Sequence, residues 1–142
     1  MKFTDGILHQ VFDKVGSYYP EIEKDQMIID IATAKVATDP ERFDVIVTHN
    51  LYGDIISDVA AEVAGSVGLC GSANIGDNYA MFEAVHGSAP DIAGQNIANP
   101  SGLINAAIMM LNFINMNDKA ELIENALKVT LEQGIHLSLI HI

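Results

Sequence analysis

Cations are the scarcest class of side chain in this sequence. Seven Lys and Arg, with Arg42 the single arginine, stand against nineteen Asp and Glu, for a formal net charge of −12. That balance excludes a chain built to grip nucleic acid or an anionic membrane surface, and leaves it poorly equipped to hold a polyanionic substrate unaided. Cys70 is the only cysteine, which excludes an internal disulfide and fits a reducing compartment. The cytoplasm is expected, with the mitochondrial matrix as the alternative. No apolar run reaches the ~20 residues of a membrane span: the longest, near Val59–Cys70 and Leu103–Met116, are broken by Glu62, Asn105 and Asn112. Met1–Asp5 leads into an amphipathic pattern, not the apolar core of a signal peptide. What remains is ample for folding, since 49% of the 142 residues are hydrophobic, enough for a buried core and against disorder.

Along the chain, Ile7, Leu8, Val11, Phe12 and Val15 follow helical spacing, with Thr4 or Asp5 as the N-cap and Gly16 as the stop. Gln26–Ile31 reads as a short strand that places Asp30 at a strand-to-helix junction, and Ala32–Ala37 as a helix ended by Asp39-Pro40. Phe43–Thr48, with Val45, Ile46 and Val47 consecutive, reads as a strand buried on both faces. A turn at Gly53 then opens a helix from Asp54 to Val63. Gly65–Gly76 is glycine-rich but contains neither Gly-x-Gly-x-x-Gly nor a P-loop, and Ala80–Val85 is a short apolar segment. Asn99 or Ser101 caps a helix that is apolar nearly all round from Leu103 to Ile114. Asp118 caps a last amphipathic helix ended by Gly134.

Two stretches carry chemistry. In Asn50-Leu-Tyr-Gly-Asp-Ile-Ile-Ser-Asp58, Asp54 and Asp58 are four apart, so on a helix their carboxylates share one face, with Cβ atoms roughly 5–6 Å apart. A divalent cation between them would turn repulsion into attraction, and oxygen donors suit Mg²⁺ or Mn²⁺. The alternative is that Asp54 caps the helix and Asp58 is merely solvated. In His86-Gly-Ser-Ala-Pro-Asp-Ile-Ala-Gly94, glycines and a proline fix a backbone that carries a histidine and an aspartate. Taken alone, that loop is open to either a structural or a ligand-binding role.

Together, Met1–Gly6, Asn50–Asp58, Asn74-Ile75-Gly76 and His86–Gly94, in this order and spacing as far as about His136, resemble the β-decarboxylating dehydrogenases, the family of isocitrate and 3-isopropylmalate dehydrogenases. The resemblance implies a non-Rossmann α/β fold, an open sheet with flanking helices, here incomplete. It implies that Asp54 and Asp58 ligate Mg²⁺ or Mn²⁺, and that Asp30 reaches the metal of a second subunit in a homodimer whose active sites span the interface. The metal would bind the substrate's 2-hydroxyl and adjacent carboxylate, and the reaction class is oxidative decarboxylation of a 2-hydroxy acid with a 3-carboxylate. His86, Gly87, Asp91, Ile92 and Asn99 would surround the adenosine, with Asn74 and Glu83 nearer the nicotinamide. Relatives that use NADP carry a basic residue at the Asp91 position, whereas an aspartate favours a free 2′-hydroxyl. NAD is therefore expected as the cofactor. The opening Met1–Gly6 looks like the isocitrate branch, so isocitrate, converted to 2-oxoglutarate, is the expected substrate, with 3-isopropylmalate as the alternative.

The family's arginine cluster, catalytic lysine and catalytic tyrosine have no match, and Lys2 does not take that lysine's place. The chain is therefore expected to be the carboxyl-terminal part of a longer enzyme. Residues 1–64 would form part of a small dimer-forming domain and residues 65–142 part of a large cofactor domain, with 137–142 unlike the family, as a non-native tail would be. Two other classes compete: a noncatalytic regulatory subunit, against which the three acids Asp30, Asp54 and Asp58 argue, and a helical dimerisation module, which leaves the His86 loop unexplained.

Overall fold

Phe3 opens the part of the chain, residues 3–134, that the computed structural model describes. It occupies the N-cap of α1 (Thr4–Gly16), and no side chain caps the helix there, so neither Thr4 nor Asp5 has the expected role. The far end is closed by Lys24, whose ammonium donates to the Gly16 carbonyl at 2.9 Å, a cation placed where the helix dipole favours it. The expected strand over Gln26–Ile31 is absent. Residues 23–28 are irregular and α2 (Ile29–Thr38) already includes Asp30. The β-branched residues were a weak guide here. Ile29, Ala32 and Val36 stand at helical intervals and face the core, so burial overrides strand propensity.

α2, a 3₁₀ turn at Pro40–Arg42 and α3 (Asn50–Val63) follow. Ala32, Val36 and Ile56 form a small buried core, with Met27, Ile29, Phe43, Val59 and Ala60 packed around it. Phe43–Thr48 is not a strand either, and Val45 is 81% exposed. Its side chains have high strand propensity, but a strand exists only through a hydrogen-bonded neighbour, and among the described residues no segment pairs with it. α3 starts four residues earlier than expected, because Gly53 donates its amide to the His49 carbonyl at 2.8 Å and lies inside the helix.

Chain contacts divide the molecule into two units, one ending at Ala60 and the other beginning at Ala61. The second contains the sheet observed among the described residues, an antiparallel pair of β1 (Gly71–Ile75) and β2 (Ala80–Ala84) in the register Gly71↔Ala84 to Ile75↔Ala80. Four residues, Gly76-Asp-Asn-Tyr79, close the hairpin, and the Gly76 amide donates to the Tyr79 carbonyl at 2.9 Å. One face of the hairpin packs on α4 (Ser101–Phe113), which in turn packs on α5 (Asn117–Glu132). Phe82 meets Phe113 across that layer with ring centroids 5.6 Å apart. Ala106 and Ala120 are each 1% exposed, small residues that let the layers close up.

Gly71 shows how close the approach is: a Cβ there would lie 2.6 Å from the Ala106 nitrogen and 2.9 Å from its Cα. Only glycine fits where a strand rests directly on a helix backbone. Gly102, in the first turn of α4, is equally confined, since a Cβ would meet the Gly68 carbonyl oxygen at 2.9 Å. The α/β class holds, as a small sheet with flanking helices. Residues 137–142 lie outside the described residues.

Candidate functional site

Asp54 and Asp58 lie on α3, one turn apart and both exposed, while Ile56 between them is buried. Because the helix begins at Asn50, Asp54 sits in its second turn and caps nothing. The capping alternative for Asp54 therefore falls away, while exposure to solvent remains. The helix presents two oxygen donors in one direction with water around them, a donor set suited to a hard divalent cation that keeps part of its hydration. Asp30 lies in the first turn of α2, also exposed, where its Oδ1 accepts from the Ile31 amide at 2.7 Å. Among the described residues, no three His, Cys, Asp or Glu gather closely enough to hold a metal, so Asp30 does not join Asp54 and Asp58 within one chain.

His49, immediately before α3, places Nε2 3.4 Å from Asp5 Oδ1, and its ring stands edge-on to Tyr52 with centroids 6.0 Å apart. The His49–Asp5 contact lacks hydrogen-bond geometry at Nε2. It is an electrostatic pairing when the imidazole is protonated. The sequence offered no signal for it, because the two residues are brought together only by the fold.

The residues expected on the nucleotide side occupy two places. In the hairpin register, Asn74 faces Met81 and Ser72 faces Glu83, so by the alternation of side chains Asn74 and Glu83 share the exposed face, directed away from α4. Diagonal neighbours of this kind stand roughly 7–8 Å apart, within reach of one ligand. Two residues beyond β2, His86 is exposed and its Nδ1 lies 2.9 Å from the Gly87 carbonyl oxygen. The loop then turns at Ala89, whose φ of 43° is left-handed, into a 3₁₀ turn at Pro90–Ile92 that holds Asp91 exposed and Ile92 half-buried. Gln95 braces the turn by donating to the Asp91 carbonyl at 2.8 Å. Pro100 occupies the N-cap of α4 and no side chain caps the helix there, so neither Asn99 nor Ser101 has the expected role; Asn99, one residue earlier, accepts from the Ser101 amide through Oδ1 at 3.0 Å. His86 and α4 meet at Gly102, where a Cβ would be 3.2 Å from the imidazole Cδ2.

The reading from sequence passed over Asn105. Its Nδ2 donates to the Leu69 carbonyl at 2.7 Å, joining α4 to the residue before β1's approach across 36 positions. An asparagine in an apolar helix was the available signal, and it was treated only as an interruption of hydrophobicity.

The family model for isocitrate/isopropylmalate dehydrogenases matches residues 1–138. This chain belongs to that family. It is 71% identical over 136 residues to an isocitrate dehydrogenase [NADP] of Rickettsia bellii, covering 96% of this chain and 28% of that relative. It is 48% identical over 135 residues to a 3-isopropylmalate dehydrogenase of Methanothermobacter thermautotrophicus, covering 95% of this chain and 41% of that one. Among solved structures, the isocitrate dehydrogenase of Methylococcus capsulatus superposes with a TM-score of 0.87 at 47% identity, over 94% of this chain and 39% of its own. The chain thus spans well under half the length of the relatives it matches.

The expectation of NAD is overturned, because the relative at 71% identity is named for NADP. Asp91 is an exposed carboxylate, whose charge water and salt screen, so it is a weak barrier to a nearby phosphate. The scarcity of arginine is no bar to NADP either, because this chain covers only 28% of that relative.

Proposed function

We propose that this chain is part of an NADP-dependent isocitrate dehydrogenase, catalysing metal-dependent oxidative decarboxylation of isocitrate to 2-oxoglutarate. The observation that carries the reading is the 71% identity to an isocitrate dehydrogenase [NADP] over 96% of the chain. The geometry supports it through α3, where Asp54 and Asp58 would hold Mg²⁺ or Mn²⁺ from one exposed helix face. A cation held there would supply Lewis-acid polarisation of the substrate's 2-hydroxyl and carboxylate oxygens.

Asp30 serves the corresponding site of a second subunit in a homodimer. His86, Gly87, Asp91, Ile92 and Asn99 bind the adenosine half of NADP, and Asn74 and Glu83 face its nicotinamide half. Residues 1–64 belong to the dimer-forming domain and 65–142 to the cofactor domain. The single cysteine fits the cytoplasm, and the relatives reported give the mitochondrial alternative no support. Among the described residues no helix is long and apolar enough to cross a membrane.

None of the residues proposed here abstracts or delivers a proton to the substrate. Isocitrate carries three carboxylates, while Arg42 is engaged over the Phe43 ring at 5.6 Å and few lysines remain to hold them. The polypeptide alone is therefore expected to bind Mn²⁺ and NADP⁺ without turning over substrate. Titration of both ligands against the wild type and Asp58→Ala tests this: the variant should lose Mn²⁺ binding and keep NADP⁺ binding. NADPH formation from isocitrate by this polypeptide alone would contradict the division of labour. The relative from Methanothermobacter favours a second reading, 3-isopropylmalate dehydrogenase, at the lower identity of 48%.

A further inference from the structure

Asn105 sits at the start of a closed circuit of contacts that ends on the imidazole of the nucleotide loop. Its Nδ2 donates to the Leu69 carbonyl at 2.7 Å. Only the amino end of the amide can face a carbonyl oxygen, so the orientation of this side chain is fixed. The next residue, Cys70, offers its carbonyl to the Val85 amide at 3.1 Å, and Val85 is bonded directly to His86. The ring of His86 then returns to α4 at Gly102, where a Cβ would stand 3.2 Å from Cδ2. Gly102 and Asn105 are three apart and therefore on the same helix face. The carbonyls of Gly68 and Cys70 flank that face as well, 2.9 and 3.2 Å from the same Cβ position. In a layer otherwise held by dispersion and small residues, a hydrogen bond is the directional contact that sets how far α4 slides along the segment at 68–71.

We infer that Asn105 is a positioning residue for the nucleotide site, fixing through Leu69, Cys70 and Val85 where the His86 imidazole stands against Gly102. It touches no ligand itself. The inference rests on the reading of the His86 loop as the nucleotide-binding loop, and Asn99, two residues before α4, is tied to the start of that helix by accepting from the Ser101 amide at 3.0 Å. The Asn105 bond thereby sets the spacing between His86 and Asn99.

The test uses the whole chain and two readouts. The ring-proton resonances of His86 are assigned by their loss in His86→Gln, and NADP⁺ affinity is measured by calorimetric titration. Asn105→Leu removes the donor and leaves the Leu69 carbonyl facing an apolar side chain. Asn105→Asp keeps the amide's shape without its donor and serves where the leucine variant fails to fold. Either folded variant should shift the His86 resonances and weaken NADP⁺ binding about tenfold, the effect of breaking one hydrogen bond and stranding its acceptor. Asn112→Asp, on an exposed position of the same helix, should do neither. His86 resonances at wild-type positions in a folded Asn105 variant would overturn the proposal. Should the wild-type chain bind no NADP⁺, the nucleotide reading of the loop fails, while the resonances still decide the role of Asn105.

Discussion

Asp58→Asn offers a sign reversal that separates a metal site from a solvated helix face. Without metal, Asp54 and Asp58 are two like charges one helical turn apart, and both are exposed. At a charge separation of about 6 Å in water their Coulomb repulsion is about 0.7 kcal/mol, and such pairs destabilise helices by roughly 0.2–0.5 kcal/mol. Asn and Asp have nearly equal helix propensity. Asp58 also lies two turns into α3, beyond the reach of the helix dipole. The substitution should therefore stabilise the metal-free chain by about 0.5 kcal/mol, a rise in Tm of about 1–2 °C for a chain of this size.

The effect is largest near 10 mM ionic strength, where the Debye length is about 30 Å, and fades at physiological salt. With Mn²⁺ at about ten times its Kd the order inverts. The wild type gains RT ln 11, about 1.4 kcal/mol, by linkage, whereas the variant has lost one of its two carboxylates and gains little. Differential scanning calorimetry in EDTA and in MnCl₂ reads both halves. An Asp58→Asn chain that melts below the wild type in EDTA would mean that Asp58 makes a favourable contact of its own. Equal Mn²⁺ stabilisation of both proteins would place the metal elsewhere. Either result refutes the reasoning.

Gly71→Ala should be among the most damaging single-methyl additions, costing about 1–3 kcal/mol, because its Cβ would meet backbone atoms of Ala106 at 2.6 and 2.9 Å that cannot rotate aside. Urea unfolding followed by circular dichroism measures it, and a change under 0.5 kcal/mol would show that β1 does not rest on α4 as described. Val45→Lys should alter the stability of this chain by less than about 0.5 kcal/mol, since Val45 is exposed outside any strand. A larger loss in the same urea assay would reveal a buried Val45.

Helices were legible in the sequence wherever their own periodicity defined them. α1, α4 and α5 run close to the spans that apolar spacing indicates, because a helix satisfies its backbone locally. Caps were less legible: Phe3 and Met116 occupy N-cap positions, where the sequence pointed to Thr4 or Asp5 and to Asp118. Strands misled in both directions. Val45-Ile46-Val47 has every local preference for a strand and joins none among the described residues, whereas Gly71-Ser-Ala-Asn-Ile75 and Ala80-Met-Phe-Glu-Ala84, with modest propensity, form the hairpin. Strand formation depends on what lies alongside, which no window of sequence contains.

Family membership was legible, because four short motifs in register are specific. The shared face of Asn74 and Glu83 was not, since it follows from a pairing register that was not anticipated. The cofactor was misjudged for a further reason: one exposed carboxylate was weighed as though it stood in a dry pocket.

The irregular segment before α3 has a practical consequence for handling this polypeptide. Val45-Ile46-Val47 is a β-branched run in irregular backbone that joins no ladder among the described residues. Such a run is a template for pairing between molecules, with Asp44 the single charge from Phe43 to Thr48 to oppose it. Concentration will therefore limit work with the isolated chain sooner than its net charge of −12 suggests. Charges introduced on Val45 or Val47 act as gatekeepers, keeping the chain dispersed while leaving the Asp54–Asp58 face of the following helix untouched.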